Sequence, residues 1–303
     1  MTIATGSKHT LHYVAESTYG TTPATPAFTP VSMTGVSIGL TKDALESGKL
    51  RADRQVEDLR HGNKQVGGEI NSELEYSTFD DLLEAMSMGT WTSNALTSGT
   101  TRRSFTFERF FDLDTDEYHR YTGCEINTFS LSVQPNAMVT ANFGVIGQDM
   151  STNTAQVTGA TYNSPLSRSP FDSFTGSINE GGSSIAIVTS IELNWENGIE
   201  PNFVLMSDTT IRPADGKSRV TGTVTAYFES KTLYDKFINE TSSSIDFTLT
   251  DNQSSSLQFD LPNIKYTAGN PDVGGDGPVT VALEFTALYS SGDSSQIVIT
   301  RTP

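Results

Sequence analysis

Asp112-Leu-Asp-Thr-Asp116 places three carboxylates at alternating positions, the spacing that opens a calcium loop. Such a loop then needs Gly at its sixth position for the sharp turn and a bidentate Glu at its twelfth. Glu117 and Gly123 stand there instead, so the segment reads as a solvated acidic turn. The histidines, His9, His12, His61 and His119, show no His-x-x-x-His or Cys/His spacing for zinc, and His9 and His12 fall on an N-terminal strand. Cys124 stands alone, forms no internal disulfide and reads as a small core residue. No Gly-x-Ser-x-Gly elbow is present, and Gly274-Gly-Asp-Gly-Pro278 lacks the Lys and the following helix that a phosphate cradle requires. Asp80-Asp81 suits a helix start better than acid/base work. These residues imply no enzyme, no metal and no cofactor.

Composition narrows the remaining classes. The 303 residues carry 19 Lys and Arg against 36 Asp and Glu, a formal charge of −17. A protein that grips nucleic acid needs a basic field to displace counterions, and this chain has the opposite sign. The longest apolar stretches, such as Ile185–Val188, fall far short of the ~20 residues of a membrane helix. Met1–Thr10 lacks a charged segment followed by an apolar one, so the sequence predicts no signal peptide.

The elements that would position any site are strands. Apolar and β-branched residues alternate with period two in Val36–Leu40, Phe105–Phe107, Phe129–Val133, Ile191–Trp195, Val220–Phe228 and Val279–Leu288. Gly, Pro and Asn clusters separate them. Two stretches have helical spacing instead. Phe79, Leu82, Leu83 and Met86 form one apolar stripe, with Ser77 or Thr78 as expected N-cap, and Leu233 and Phe237 form another with Thr232 as cap. The expected helices run Ser77–Met88 and Lys231–Glu240, docked by Leu83 and Phe237.

Their contexts match. At a shift of 154, Gly68 falls on Gly222, Ile70 on Val224, Leu74 on Phe228 and Leu83 on Phe237. At 155, Val36–Leu40 falls on Ile191–Trp195, and at 142 Phe143 falls on Phe285. A repeat in fixed order is the signature of duplicated architecture. The two halves, 1–150 and 151–303, are also nearly equal in charge, −8 and −9, with the boundary expected within Asp149–Ser169.

The connection Thr41–Lys64 holds six of the 19 basic residues almost balanced by acids. Connections this long without their own structure are commonly functional. Lys49, Arg51, Asp53, Arg54, Glu57, Asp58 and Arg60 are therefore its interface candidates. The counterpart Glu196–Lys217 is less charged and carries Phe203, Val204, Leu205 and Met206.

Glu16-Ser-Thr-Tyr-Gly-Thr-Thr-Pro23, then Val66–Tyr76 with its Gly-Gly-Glu-Ile-Asn-Ser-Glu-Leu-Glu core, then Phe79-Asp-Asp-Leu-Leu-Glu-Ala85 resemble, in that order, the major tail tube proteins of long-tailed, siphovirus-type bacteriophages. The resemblance is clearest over residues 13–90 and recurs in weaker form in the second half. It implies an all-β fold with two short helices, a duplicated β-sandwich in which each half has one flanking helix and a long hairpin that reaches into the next ring. It also implies stacked rings forming a hollow tube, DNA as transient lumen cargo, tape measure and tail terminator or tip proteins as partners, no membrane, and a protein made in the host cytoplasm that ends in the virion. Relatives close their ring with six single-sandwich subunits, so a duplicated chain implies a trimeric, pseudo-hexameric ring. The alternative is a hexamer whose second half is an outer decoration. A carbohydrate-binding or adhesin-like β-sandwich is the competing function, with only Trp91 and Trp195 as platform aromatics, and a β-sandwich hydrolase lacks a catalytic pair.

Overall fold

The computed structural model describes residues 3–185, 187–273 and 275–303. Its first strands are β1 (Thr10–Ala15), β2 (Ala27–Pro30), β3 (Gly35–Val36), β4 (Gly39–Glu46) and β5 (Leu59–Glu73), followed by helix α1 (Asp80–Ser87). Then come β6 (Ala95–Thr97), β7 (Phe105–Phe111), β8 (Glu117–Val133), β9 (Thr140–Gly147), β10 (Asp149–Asn153) and β11 (Thr161–Tyr162). The second half opens with β12 (Gly176–Glu180), β13 (Ser183–Ser184), β14 (Val188–Glu196) and β15 (Arg219–Tyr227), then α2 (Thr232–Ile238). The set is completed by β16 (Ser243–Thr250), β17 (Ser256–Ala268), β18 (Pro271–Asp272), β19 (Thr280–Ala287) and β20 (Val298–Thr302). The chain is all-β with two short helices, as its period-two patterning dictates.

Each strand buries its apolar side. In β14, Ile191, Leu193 and Trp195 are buried while Glu192, Asn194 and Glu196 are exposed. The long strand β8 serves two layers. Its first half pairs with β7 and β10, and its second half pairs with β9 and β14. Irregularities opposite Phe105/Phe107 and at Ile126/Thr128 bend it between them, which is what an extra unpaired residue does to a ladder. One sheet thus runs β4–β5–β9–β8–β14–β15–β19–β17 through both halves. A row of rings, Phe79, Phe143, Phe129, Phe259 and Phe247, runs beneath it, and the buried residues form one continuous cluster. At centroid spacings of 5.1–6.4 Å, these tilted and stacked contacts carry the core across the seam.

The pairings of the first half recur in the second. β4–β5, β5–β9, β9–β8, β8–β7, β8–β10 and β7–β1 have counterparts in β14–β15, β15–β19, β19–β17, β17–β16, β17–β20 and β16–β12. Val36 faces Ile70 as Ile191 faces Val224, which agrees with both sequence shifts. The irregularity at Ile126/Thr128 recurs at Tyr266/Ala268, and that at Phe105/Phe107 recurs at Ser243/Ile245. One sequence alignment is corrected. Ile70 faces Phe143 and Val224 faces Leu283, so Leu283, not Phe285, takes the place of Phe143. A slip of two residues keeps every side chain on its face, so the alternation pattern carries no signal against it.

Both helices are shorter than their sequence spans, and neither is capped as expected. Ser77 lies at φ 63°, and its hydroxyl donates to the Asp80 carboxylate at 3.0 Å rather than accepting from the helix backbone. Phe79 occupies the N-cap position of α1 and Lys231 that of α2, without side-chain cap bonds. Leu83 is buried in α1, whereas no residue of α2 is buried and Phe237 only leans on the core. The segment Thr41–Lys64 is not an irregular loop. Half of it, residues 41–46 and 59–64, forms the arms of a hairpin, with Glu46 opposite Leu59. Its arms are mostly charged or polar, with Leu45 and Leu59 exposed, so they lack the apolar period that marks a strand. The stretch after β10 stays with the first half: Tyr162 pairs beside Phe28 and the fully buried Phe171 bonds Leu74 and Val139.

Candidate assembly surfaces

The outer face of the shared sheet is polar from edge to edge. One row across it reads Glu73, Thr140, Ser132, Glu192, Thr223, Glu284, and a second reads Asn71, Asn142, Ser130, Asn194, Thr221, Thr286. Glu69 and Glu196 lie on the same face, with Arg219 and Lys265 as its cations. Asn142 Nδ2 donates to Glu69 and Asn71 at 2.8 and 2.7 Å, fixing two of these side chains. Along these rows the face carries five carboxylates against two cations, so its net field repels a polyanion, and Tyr227, 45% exposed, is the ring at its β15 end.

The hairpin of β4 and β5 projects from one end of this sheet. Lys49, Arg51, Asp53, Arg54, Glu57, Asp58 and Arg60 are all exposed at or near its tip. Their charges are largely matched inside the hairpin. Arg51 holds Asp53 through two bonds of 3.0 and 2.9 Å, Lys49 lies 3.3 Å from Glu57, and Arg60 lies 3.8 Å from Asp58. The guanidinium of Arg51 holds the Asp53 carboxyl below its ordinary range. Arg54 sits at φ 62° in the turn, and Leu50 is fully exposed beside it.

The β14–β15 connection leaves the same end of the sheet and folds back over the first half. Asn127, the residue skipped in the β8–β9 ladder, accepts from Asn197 N through its carbonyl and from Ile199 N through Oδ1, at 2.9 and 2.7 Å. Asn197 Nδ2 in turn donates to the Met86 carbonyl at the end of α1 at 2.8 Å. Buried Glu125 takes Arg212 on one oxygen at 2.7 and 3.0 Å and Arg102 on the other. Arg102 also donates to the Pro213 carbonyl, and Arg212 lies over the Tyr19 ring. Lys64 bonds Asp208 at 3.0 Å, which keeps that carboxyl low. Beyond this clasp the tip stands free: Phe203 and Val204 are half exposed, and Leu205 and Met206 are 93% and 104% exposed.

Of the sequence candidates, the structure gathers the charged set on one hairpin and the apolar set on one turn, both at one end of the sheet. It also supplies residues that the sequence reading did not single out: Glu125, Arg102, Arg212, Asn127 and Asn197. An unusual acid flanked by strand residues was the only local signal for Glu125. Trp195 is buried with Nε1 donating to Ser218, and Trp91 lies under the Arg301 guanidinium, so neither ring stands open as a sugar platform. Asp112 pairs with Lys8 at 2.6 Å in an exposed turn. Among the described residues no helix is long and apolar enough to cross a membrane.

The shared sheet ends on two edges. Among the described strands β4 has β5 as its neighbour and nothing on its other side, and β18 has β19 alone. Comparison with curated proteins finds no match. The family model for phage tail tube proteins matches residues 6–287, a span that takes in the hairpin, the clasped connection and the whole shared sheet. The chain belongs to the phage tail tube protein family and is a structural component of the virion tail.

Proposed function

We propose that the chain is the major subunit of the tail tube, an internal duplication whose two parts each contribute one sandwich, the first extending past residue 150 to take in β10, β11 and Phe171. Three chains close a pseudo-hexameric ring, and rings stack into the conduit through which DNA leaves. The observation that carries this reading is the seam between the halves. There β8 pairs with β14, Leu131 against Leu193 on the inner side and Ser130 against Asn194 on the outer. By the recurring pairings, β17 with β18 is the counterpart of β8, and β3 with β4 is the counterpart of β14. Those are the two open edges of the shared sheet. Repeating the seam between chains sets Val273 against Val36 and Ala268 against Thr41, in a head-to-tail contact that closes on rotation. Pro271 removes one donor from the β18 edge, a device that blunts edge-to-edge aggregation of unassembled chains. Asn127 holds the folded-back connection inside the chain, and its counterpart Thr267 is exposed, ready to meet the hairpin of the next chain.

In this ring the outer sheet face, with its five glutamates, lines the lumen and lets DNA slide without counterion release. The hairpin cations set register between rings, since interfacial charges discriminate against wrong partners. A tape measure protein and terminator or tip proteins would set the tube's length and ends. End-on class averages of tubes assembled from the purified chain test the reading. Three chains per ring are expected, and six copies of the whole chain would overturn it in favour of the hexamer with an outer second half.

A further inference from the structure

We infer that the apolar tip Leu205–Met206 docks into a cavity at the opposite end of the sheet on a second copy of this chain, in the adjacent ring. The inference rests on the tube reading above. The cavity measures about 230 Å³ and is lined by Val133, Phe174, Ile178, Val188, Ile191 and Phe247. It is larger than the ~150 Å³ that takes up a benzene molecule, so it accommodates a Leu or Met side chain. Phe174, 74% exposed, stands at its mouth on a turn held by Asp172 Oδ1, which accepts from Phe174 N and Thr175 N at 2.8 Å each.

Three observations select a second copy as the occupant. Strand β14 carries both features: its first residues line the cavity and its last, Glu196, leads into the clasped connection. Nine strand residues set tip and cavity roughly 25–30 Å apart along one axis, the arrangement of a plug and socket for end-to-end stacking. The tip is also built at a cost to the free chain. Ser207 N bonds the Val204 carbonyl across the turn, with Met206 at φ 67°, a left-handed position that a turn of this kind normally gives to Gly. Two large apolar side chains are held fully in water there, on a base fixed by Glu125, Lys64 and Thr210, so little freedom is left to lose on docking. Finally, the two ends differ in charge. The hairpin beside the tip sets six cations against five carboxylates, while the end around the cavity bears Asp172, Glu229, Asp235, Asp272 and Asp276 with Lys231 and Lys236 as cations. Head-to-tail stacking therefore sets the acidic end against the cations of the hairpin rather than against a like end.

The test uses the full chain. Met206→Cys combined with Thr189→Cys, at the cavity wall, should give intermolecular disulfide ladders under mild oxidation of tubes, and neither single variant should. Native Cys124 is fully buried and gives no background. Leu205→Ser with Met206→Ser should melt like the wild type yet raise the critical concentration for tube growth at least about tenfold, leaving rings. If that variant forms tubes at the wild-type concentration, or if the Cys pair stays unlinked in intact tubes, the docking site is wrong and the tube reading stands. If the wild-type chain forms no rings or tubes at all, the tube reading itself fails and this inference with it.

Discussion

The two halves place the same connection in opposite situations. The segment between β4 and β5 and the segment between β14 and β15 join equivalent strands and leave the same end of the sheet. The first is a projecting hairpin whose charges pair among themselves in water. The second gives up strand pairing and is fastened to the neighbouring half by Asn127, Glu125 and Lys64. The helices differ in the same sense: α1 is buried between sheet and connection, while α2 has no buried residue. The second connection has its neighbour inside the chain, whereas the first is held there at its base alone, through Lys64. A repeated ladder therefore leaves half of its loop contacts to be made by another molecule.

The clasp should show the largest effect. Glu125→Ala leaves Arg102, 16% exposed, without its carboxylate while Arg212, 40% exposed, turns to water, so the loss falls at the lower end of the about 3–5 kcal/mol for breaking a buried pair. Chemical denaturation should show the loss, and limited proteolysis should cut within residues 197–217. A variant with wild-type stability and an uncut connection would remove the clasp from the comparison.

The helices come next. Leu83→Ala in buried α1 should cost about 2–5 kcal/mol. Phe237→Ala in α2 should cost less than half as much, because its ring is already partly in water. Equal losses in thermal melts would mean that the two helices are packed alike.

The halves should also respond to acid with opposite sign. In the first, burial first, then Arg109 and His119, hold His9 down at about 4. The unfolded imidazole takes its proton near 6.5, so His9 withdraws stability as pH falls from 6.5 toward 4. In the second half, burial first, then Asp246 and Asp293, push Asp260 up to about 6. Asp246 faces it directly across the β16–β17 ladder. The folded form holds this proton more tightly than the unfolded one, which titrates at 3.8, so Asp260 costs stability at neutral pH and the cost fades as pH falls from 6 to 3.8. Asp260→Asn should raise the melting temperature by about 1–3 °C at pH 7 and change little at pH 4. A stabilisation that is independent of pH would refute the ionic cause.

The smallest effect on the isolated chain is expected at the hairpin. Arg51→Glu with Arg54→Glu should leave circular dichroism and melting temperature unchanged, because both side chains lie in water. The same variant should polymerise poorly, since like charges now meet at the ring interface. Tubes of normal length from this variant would strike the hairpin from stacking.

The sequence by itself determined the class of fold, the buried face of strands such as β14 and β15, the sites of both helices and the two shifts that align β4 with β14 and β5 with β15. These are local signals, because period two and the i, i+3, i+4 stripe are written in neighbouring residues. It also marked the charged hairpin and the apolar tip as segments that pack against nothing nearby. The hairpin's strands were illegible because both arms face water and carry no apolar period. The match of Phe143 to Leu283 was illegible because a two-residue slip preserves every face. The tertiary structure alone decided what the connections do. Glu125 meets Arg212 across 87 residues, Arg301 reaches Asp80 across 221, and β8 chooses β14 as its neighbour. Each of these depends on folded strands bringing together groups whose separation along the chain hides them from any periodicity, and burial then makes their pairing obligatory.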